Sequence, residues 1–216
     1  MKNLLVLLVL VFGITALNAQ EKSAKDYKVE GAEAYNAKDY KTGLAAFESS
    51  IKLYEQEGNI DTTLYYNAAI CAMKINDYEK SVTYFDRSIE LDYKSCNAQL
   101  YKANALKKLN NYDTMIEVCE SGITACPKYK SKFNELLFGY YLKSGLDIFN
   151  DAAKMQAEAT PLATSDPAKY KTEMEKVKAE FNKSLPMLEK AKAINPDDEN
   201  CNRAINQAKE IIATDI

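Results

Sequence analysis

Three times along this chain the same short phrase returns: Lys38-Asp39-Tyr40, Asn76-Asp77-Tyr78 and Asn110-Asn111-Tyr112. The tyrosines stand 38 and then 34 residues apart, and the apolar pattern around them repeats in register. Seven residues on come Phe47, Phe85 and Cys119; thirteen on come Leu53, Leu91 and Ala125. Nine residues before them sit Gly31, Ala69 and Ala103, and three after them Gly43, Ser81 and Met115. A period near 34 with helical spacing inside it specifies stacked helix–turn–helix units, because one such unit cannot bury its apolar face alone. The fold class expected is all-α.

Helices are predicted at 26–37, 40–55, 62–74, 78–91, 96–109 and 112–125, with Asp39, Asp77 and Asn111 placed to cap each second helix. Phe47 and Phe85 are expected to fill the seams between helices. Farther on, Phe133, Leu137, Tyr140, Ile148, Ala152 and Met155 predict a long helix to about residue 158. A helix-breaking loop follows at 159–167. Tyr170, Met174, Val177, Phe181, Leu185 and Leu188 then mark a second long helix, with Pro186 inside it. These two helices are expected to pair as a hairpin projecting beyond the stack. An amphipathic helix after Asp197-Asp198 is expected to cap the solenoid end.

The columns of small residue, tyrosine and aromatic resemble those of the tetratricopeptide repeat (TPR) family, as do Cys126-Pro127 and Asn195-Pro196 at repeat ends. The resemblance implies an alpha-alpha superhelix with three TPR repeats within residues 20–129 (about 24–57, 62–95 and 96–129). An expanded fourth repeat would occupy 130–198 and a capping helix 199–216. Exported bacterial repeat proteins with an expanded final repeat look similar. The family's tryptophan is absent, and Tyr27, Tyr65 and Gln99 stand in its column; Met115 is bulky for a small-residue column, and Cys119 replaces an aromatic.

In that family the first helices of the repeats line a groove that receives a segment of another protein. Carried over by position, the groove here is Lys28, Tyr35, Tyr66, Asn67, Ile70, Met73, Leu100, Asn104, Lys107, Asn134, Phe138 and Tyr141. One mode of the family clamps a terminal carboxylate with two lysines, two asparagines and an arginine. Only Lys28 and Asn67 match; Ala32, Asn97 and Tyr101 stand at the other positions, so the full charge-assisted clamp is not formed.

Residues 1–19 read as a secretory signal peptide: Lys2, an apolar run from Leu4 to Ile14, then Ala-Leu-Asn-Ala before Gln20. The run is short for a membrane span, so the mature chain is expected to be exported, most simply to a bacterial periplasm, with no span of its own. Its charges are interspersed, with a net of −3 over the whole chain, which disfavours nucleic acid as a partner. Histidine is absent, removing the commonest general base and metal ligand together with the Ser-His and Cys-His arrangements. No enzyme activity, cofactor or metal site is expected.

Five cysteines need a reading in an oxidising compartment. Cys71 and Cys119 lie on apolar helical faces and read as buried small hydrophobes. Cys96 opens the first helix of the third repeat and Cys126 closes its second. An antiparallel pair brings those ends side by side, which allows a disulfide, although spacing alone leaves connectivity open.

The functional expectation is a non-catalytic protein–protein interaction scaffold or adaptor of the bacterial cell envelope. The alternative is a glycan- or small-ligand-binding component of an uptake system. Oligomeric state is left open.

Overall fold

The computed structural model describes residues 21–215; the leader expected at 1–19 lies outside them. The regular elements among the described residues are all helical. Six helices form three antiparallel pairs: α1 (Ala24–Asn36) with α2 (Tyr40–Gln56), α3 (Thr62–Lys74) with α4 (Tyr78–Glu90), and α5 (Ser95–Lys108) with α6 (Tyr112–Ala125). Each second helix also packs on the first helix of the next pair, which makes the arrangement an all-α superhelix rather than a closed bundle. A 3-10 turn, Pro127–Tyr129, leads into α7 (Lys130–Ala159), followed by α8 (Leu162–Ser165), α9 (Pro167–Ile194) and α10 (Glu199–Ala213).

The recurring phrase has a backbone explanation. Lys38, Asn76 and Asn110 are left-handed, with φ of 64°, 63° and 56°. Each ends the first helix of its pair in a Schellman turn: Lys38 N–H donates to Tyr35 O and Asp39 N–H to Ala34 O, and the same two bonds recur at Asn76/Asp77 and Asn110/Asn111. Asparagine tolerates this conformation better than most side chains. The next residue then caps the second helix, Asp39 accepting from Thr42 N–H, Asp77 from Lys80 N–H and Asn111 from Thr114 N–H. The tyrosine closes two of the turns, Tyr78 Oη donating to Asn76 Oδ1 (2.6 Å) and Tyr112 Oη to Asn110 Oδ1 (2.8 Å). Three consecutive residues therefore stop one helix and start the next.

The small-residue columns are steric. A Cβ on Gly31 would lie 2.6 Å from Phe47 Cδ1, and one on Gly145 would lie 2.7 Å from Leu188 Cγ. The second contact is of the same kind as the first: the α7 segment around Gly145 faces the C-terminal half of α9 as Gly31 of α1 faces Phe47 of α2. Phe47, Phe85, Phe133 and Phe181 are all fully buried along the stack.

Two distal expectations need correction. The segment 159–167 is not an uninterrupted loop: Ala159 still belongs to α7, α8 occupies Leu162–Ser165, and Pro167 opens α9, capped by Asp166. The hairpin also does not project uncovered. Helix α10 lies along α9, with Lys209 paired to Glu189 at 3.0 Å and Lys178 Nζ donating to Thr214 O at 2.5 Å. Its Ala208, Ile211 and Ile212 join Ala152 of α7 and Met174, Val177 and Phe181 of α9 in one apolar cluster. The reason is its apolar stripe, which finds an open seam between two long helices. Helix α9 runs through Pro186 to Ile194, and beside the missing donor the Ser184 hydroxyl donates to Phe181 O.

Cys96 and Cys126 form a disulfide, their Cα atoms 5.6 Å apart and 30 residues apart in sequence. Nearby, Tyr129 Oη donates to Asn97 Oδ1 at 2.6 Å, so two links hold the entry to α7 against the start of α5. Cys71, Cys119 and Cys201 are buried thiols. Burial pushes the thiol of Cys71 up to about 11 and that of Cys119, helped by Glu120, up to about 12, so both stay protonated and unreactive near neutrality.

Candidate binding trough

The residues expected to line one groove fall into three environments. At the N-terminal end Lys28 is held by an ion pair to Asp61 (2.5 Å), and Tyr35 packs edge-on against Tyr40, ring centroids 5.6 Å apart. Ile70 and Met73 are half-buried against the cluster around Tyr66 and Phe85, and Asn67 is half-buried beside them in α3.

Tyr66 and Tyr141 are core side chains, 8% and 4% exposed, and this corrects their expected place at a ligand surface. Tyr66 sits among Phe85, Tyr93 and Tyr101, with Lys94 Nζ 4.5 Å above its ring. Tyr141 belongs to the cluster that joins α5, α6, α7 and α9. Burial raises both phenols above their ordinary range. Their removal would loosen the stack before it touched a ligand.

The third group does converge. Leu100, Asn104 and Lys107 from α5 face Phe138 of α7 across a trough of about 710 Å³, and Asn134 with Phe138 lines an adjoining hollow of about 510 Å³. The side chains that complete it were not singled out as groove residues from the sequence: Tyr101, Lys132, Glu135, Leu136 and Gly139, with Ile194 and Asn195 from the end of α9. Spacing could have found Glu135 and Gly139, one helical turn apart and next to Asn134 and Phe138. No local signal could have found Ile194 and Asn195, which arrive from 60 residues away.

The trough sets an apolar floor beside polar rims. Leu100 and Leu136 form an apolar floor, both nearly buried, and Phe138 is half-exposed above them. Tyr101, 37% exposed, offers a ring and a hydroxyl on the rim. Asn104 is oriented by its own helix, Nδ2 donating to Leu100 O at 2.8 Å. The Asn134 carboxamide has no hydrogen-bond partner among the described residues, leaving a donor and an acceptor free to match one backbone amide. Gly139 leaves the trough open, since an added Cβ would meet nothing within 4 Å. Among the described residues no group of acidic, cysteine or histidine side chains is arranged to hold a metal, and no helix is long and apolar enough to cross a membrane.

The Lys28–Asp61 contact is structural and yields a pH-dependent prediction. Partial burial raises the Asp61 carboxyl, but hydrogen bonds from Lys28 and Thr63 outweigh it and hold the group below its ordinary value. A depressed carboxyl contributes stability above its unfolded pKa of about 3.9 and loses it as pH falls through the folded value. Asp61→Asn keeps a capping oxygen for α3 but loses the ion pair. It should cost about 0.5–1 kcal/mol at pH 7, a difference that shrinks at pH 3. Urea unfolding at both pH values checks this; equal stability at pH 7 would count against the pair.

Repeated helical pairs closed by interlocked turns, carrying an apolar trough with polar rims, define a helical-repeat solenoid with a candidate binding face. Residues 62–95, which hold α3 and α4, match the tetratricopeptide repeat family profile. The matched unit is a tetratricopeptide repeat, and the helical pairs on either side of it carry the same columns. Human sperm-associated antigen 1 is 30% identical over 92 residues, which are 43% of this chain and 10% of that protein. The chain thus spans a small fraction of that relative. A TPR repeats protein from Bacteroides fragilis is 24% identical, with 88% of this chain and 99% of that one covered and a TM-score of 0.49. The TPR2AB domain of yeast Sti1, solved as a complex with pHSP90, is 15% identical over 88% of this chain and 84% of its own, TM-score 0.47.

Proposed function

We propose that the protein is a non-catalytic scaffold that holds a segment of another protein in the trough between α5 and α7. The observation that carries this reading is the trough itself, an open apolar floor beside the unpartnered carboxamide of Asn134. Extended peptides present alternating side chains and a backbone amide at each step, and this surface has a place for both. The proposed setting is the bacterial cell envelope, reached through the leader at 1–19. The Cys96–Cys126 disulfide supports that setting, because such bonds persist in oxidising compartments.

The test is photo-crosslinking in the native cell from position 101, with Tyr101 replaced by a photoreactive analogue and adducts identified by mass spectrometry. Tyr101 is chosen because it stands on the rim, unlike Tyr66 and Tyr141. One dominant protein adduct is expected. A folded, exported protein without protein adducts would overturn the scaffold reading in favour of a glycan or small ligand.

A further inference from the structure

We propose that the segment received by this trough is an extended peptide in which carboxylate side chains alternate with apolar ones. The inference rests on the trough reading above and adds the chemistry of its occupant. The chain as a whole is acidic, with 31 acidic against 28 basic residues. The trough reverses that sign: Lys107 and Lys132 stand on its facing walls, Lys130 lines the adjoining hollow, and Glu135 is their one acidic neighbour. In three other concavities of the described surface acids outnumber bases, as with Glu55, Asp86 and Glu90 against Arg87.

None of these lysines is held by an acid, although Lys132 Nζ lies 5.5 Å from the ring centroid of Tyr129. The described ion pairs engage Lys28, Lys80, Lys102 and others, but none includes Lys107, Lys130 or Lys132. Two of the three lie in the first turn of a 30-residue helix that has neither an acidic residue there nor a side-chain cap. Cations at that end oppose the helix dipole, so the free protein holds an electrostatic arrangement that a carboxylate would relieve. Between the facing lysines lies the apolar floor of Leu100 and Leu136 beneath Phe138, which an isolated anion would leave unused. Acidic groups at the rim with apolar ones between them satisfy both parts, and alternate side chains of an extended strand point that way.

The experiment measures fluorescence anisotropy of two labelled synthetic peptides on the purified protein. One alternates glutamate with leucine, and its twin carries lysine in place of glutamate. The acidic peptide is expected to bind at least tenfold more tightly than its twin, with an advantage that fades as salt is raised. Lys107→Glu combined with Lys132→Glu should erase the preference. Gly139→Phe should abolish binding while leaving the melting curve intact, since it grows into open space.

Equal affinity for the two peptides, absence of binding to either, or a preference that survives charge reversal would overturn the assignment. Failure of the underlying reading looks different. A lysine peptide that binds better, yet is blocked by Gly139→Phe, removes the acidic occupant and leaves the trough as a peptide site. Crosslinking from Tyr101 that finds no protein removes the trough reading itself.

Discussion

Phe85→Ala is expected to lower the unfolding free energy by about 3–5 kcal/mol. The ring is fully buried and in contact with Tyr66 and Tyr101, ring centroids 5.9 and 5.8 Å away, so its loss leaves a cavity where α3, α4 and α5 meet. A superhelix is stabilised largely by contacts between neighbouring units, so a defect at this seam weakens the coupling of the second repeat to the third. Urea unfolding followed by circular dichroism measures it. Phe85→Leu, which keeps much of the volume, should recover more than half of the loss. A cost below about 1 kcal/mol would mean that the seam collapses around the cavity and that Phe85 does not hold it.

Removing the Cys96–Cys126 bond should be nearly as severe. It closes a loop whose ends are 30 residues apart, and the loss of that constraint on the unfolded chain is worth about 3–4 kcal/mol. The damage should also be local, because the bond sits where α6 hands over to α7 and so sets one wall of the trough against the other. Urea unfolding with and without a reductant gives the magnitude, and anisotropy of a trough-bound peptide gives the location. Thiol counting supplies an independent check. Native oxidised protein should react slowly, and the same protein unfolded without reductant should expose three thiols, those of Cys71, Cys119 and Cys201. Five exposed thiols would refute the bond.

Much of the fold was legible because its determinants are local. Lys38, Asn76 and Asn110 fall between the helices predicted from sequence, and their left-handed backbone is what makes the spacing regular. The columns of Gly31 and Phe47 could be seen because a helix places side chains at fixed intervals. The course of α10 was less legible. Its amphipathic pattern announces a helix with one face to bury, but whether that face meets the end of the solenoid or the flank of α9 depends on a seam formed by residues far away. The binding surface was harder still. Tyr66, Tyr101 and Tyr141 look alike in sequence, and only the stacking of the units decides that two are sealed into the core while Tyr101 reaches solvent. Lys107 and Lys132 carry no mark of a shared site until α5 and α7 face each other.

The interlocked turns also bear on how the protein breathes. Because one three-residue stretch ends the first helix of a pair and begins the second, neither helix can fray at that end without releasing the other. Amide exchange should therefore report each pair as one opening unit, with α1 and α2 exchanging together and earliest, since among the described residues that pair packs against a neighbouring pair on one side. The granularity of motion in this chain is the repeat, not the helix.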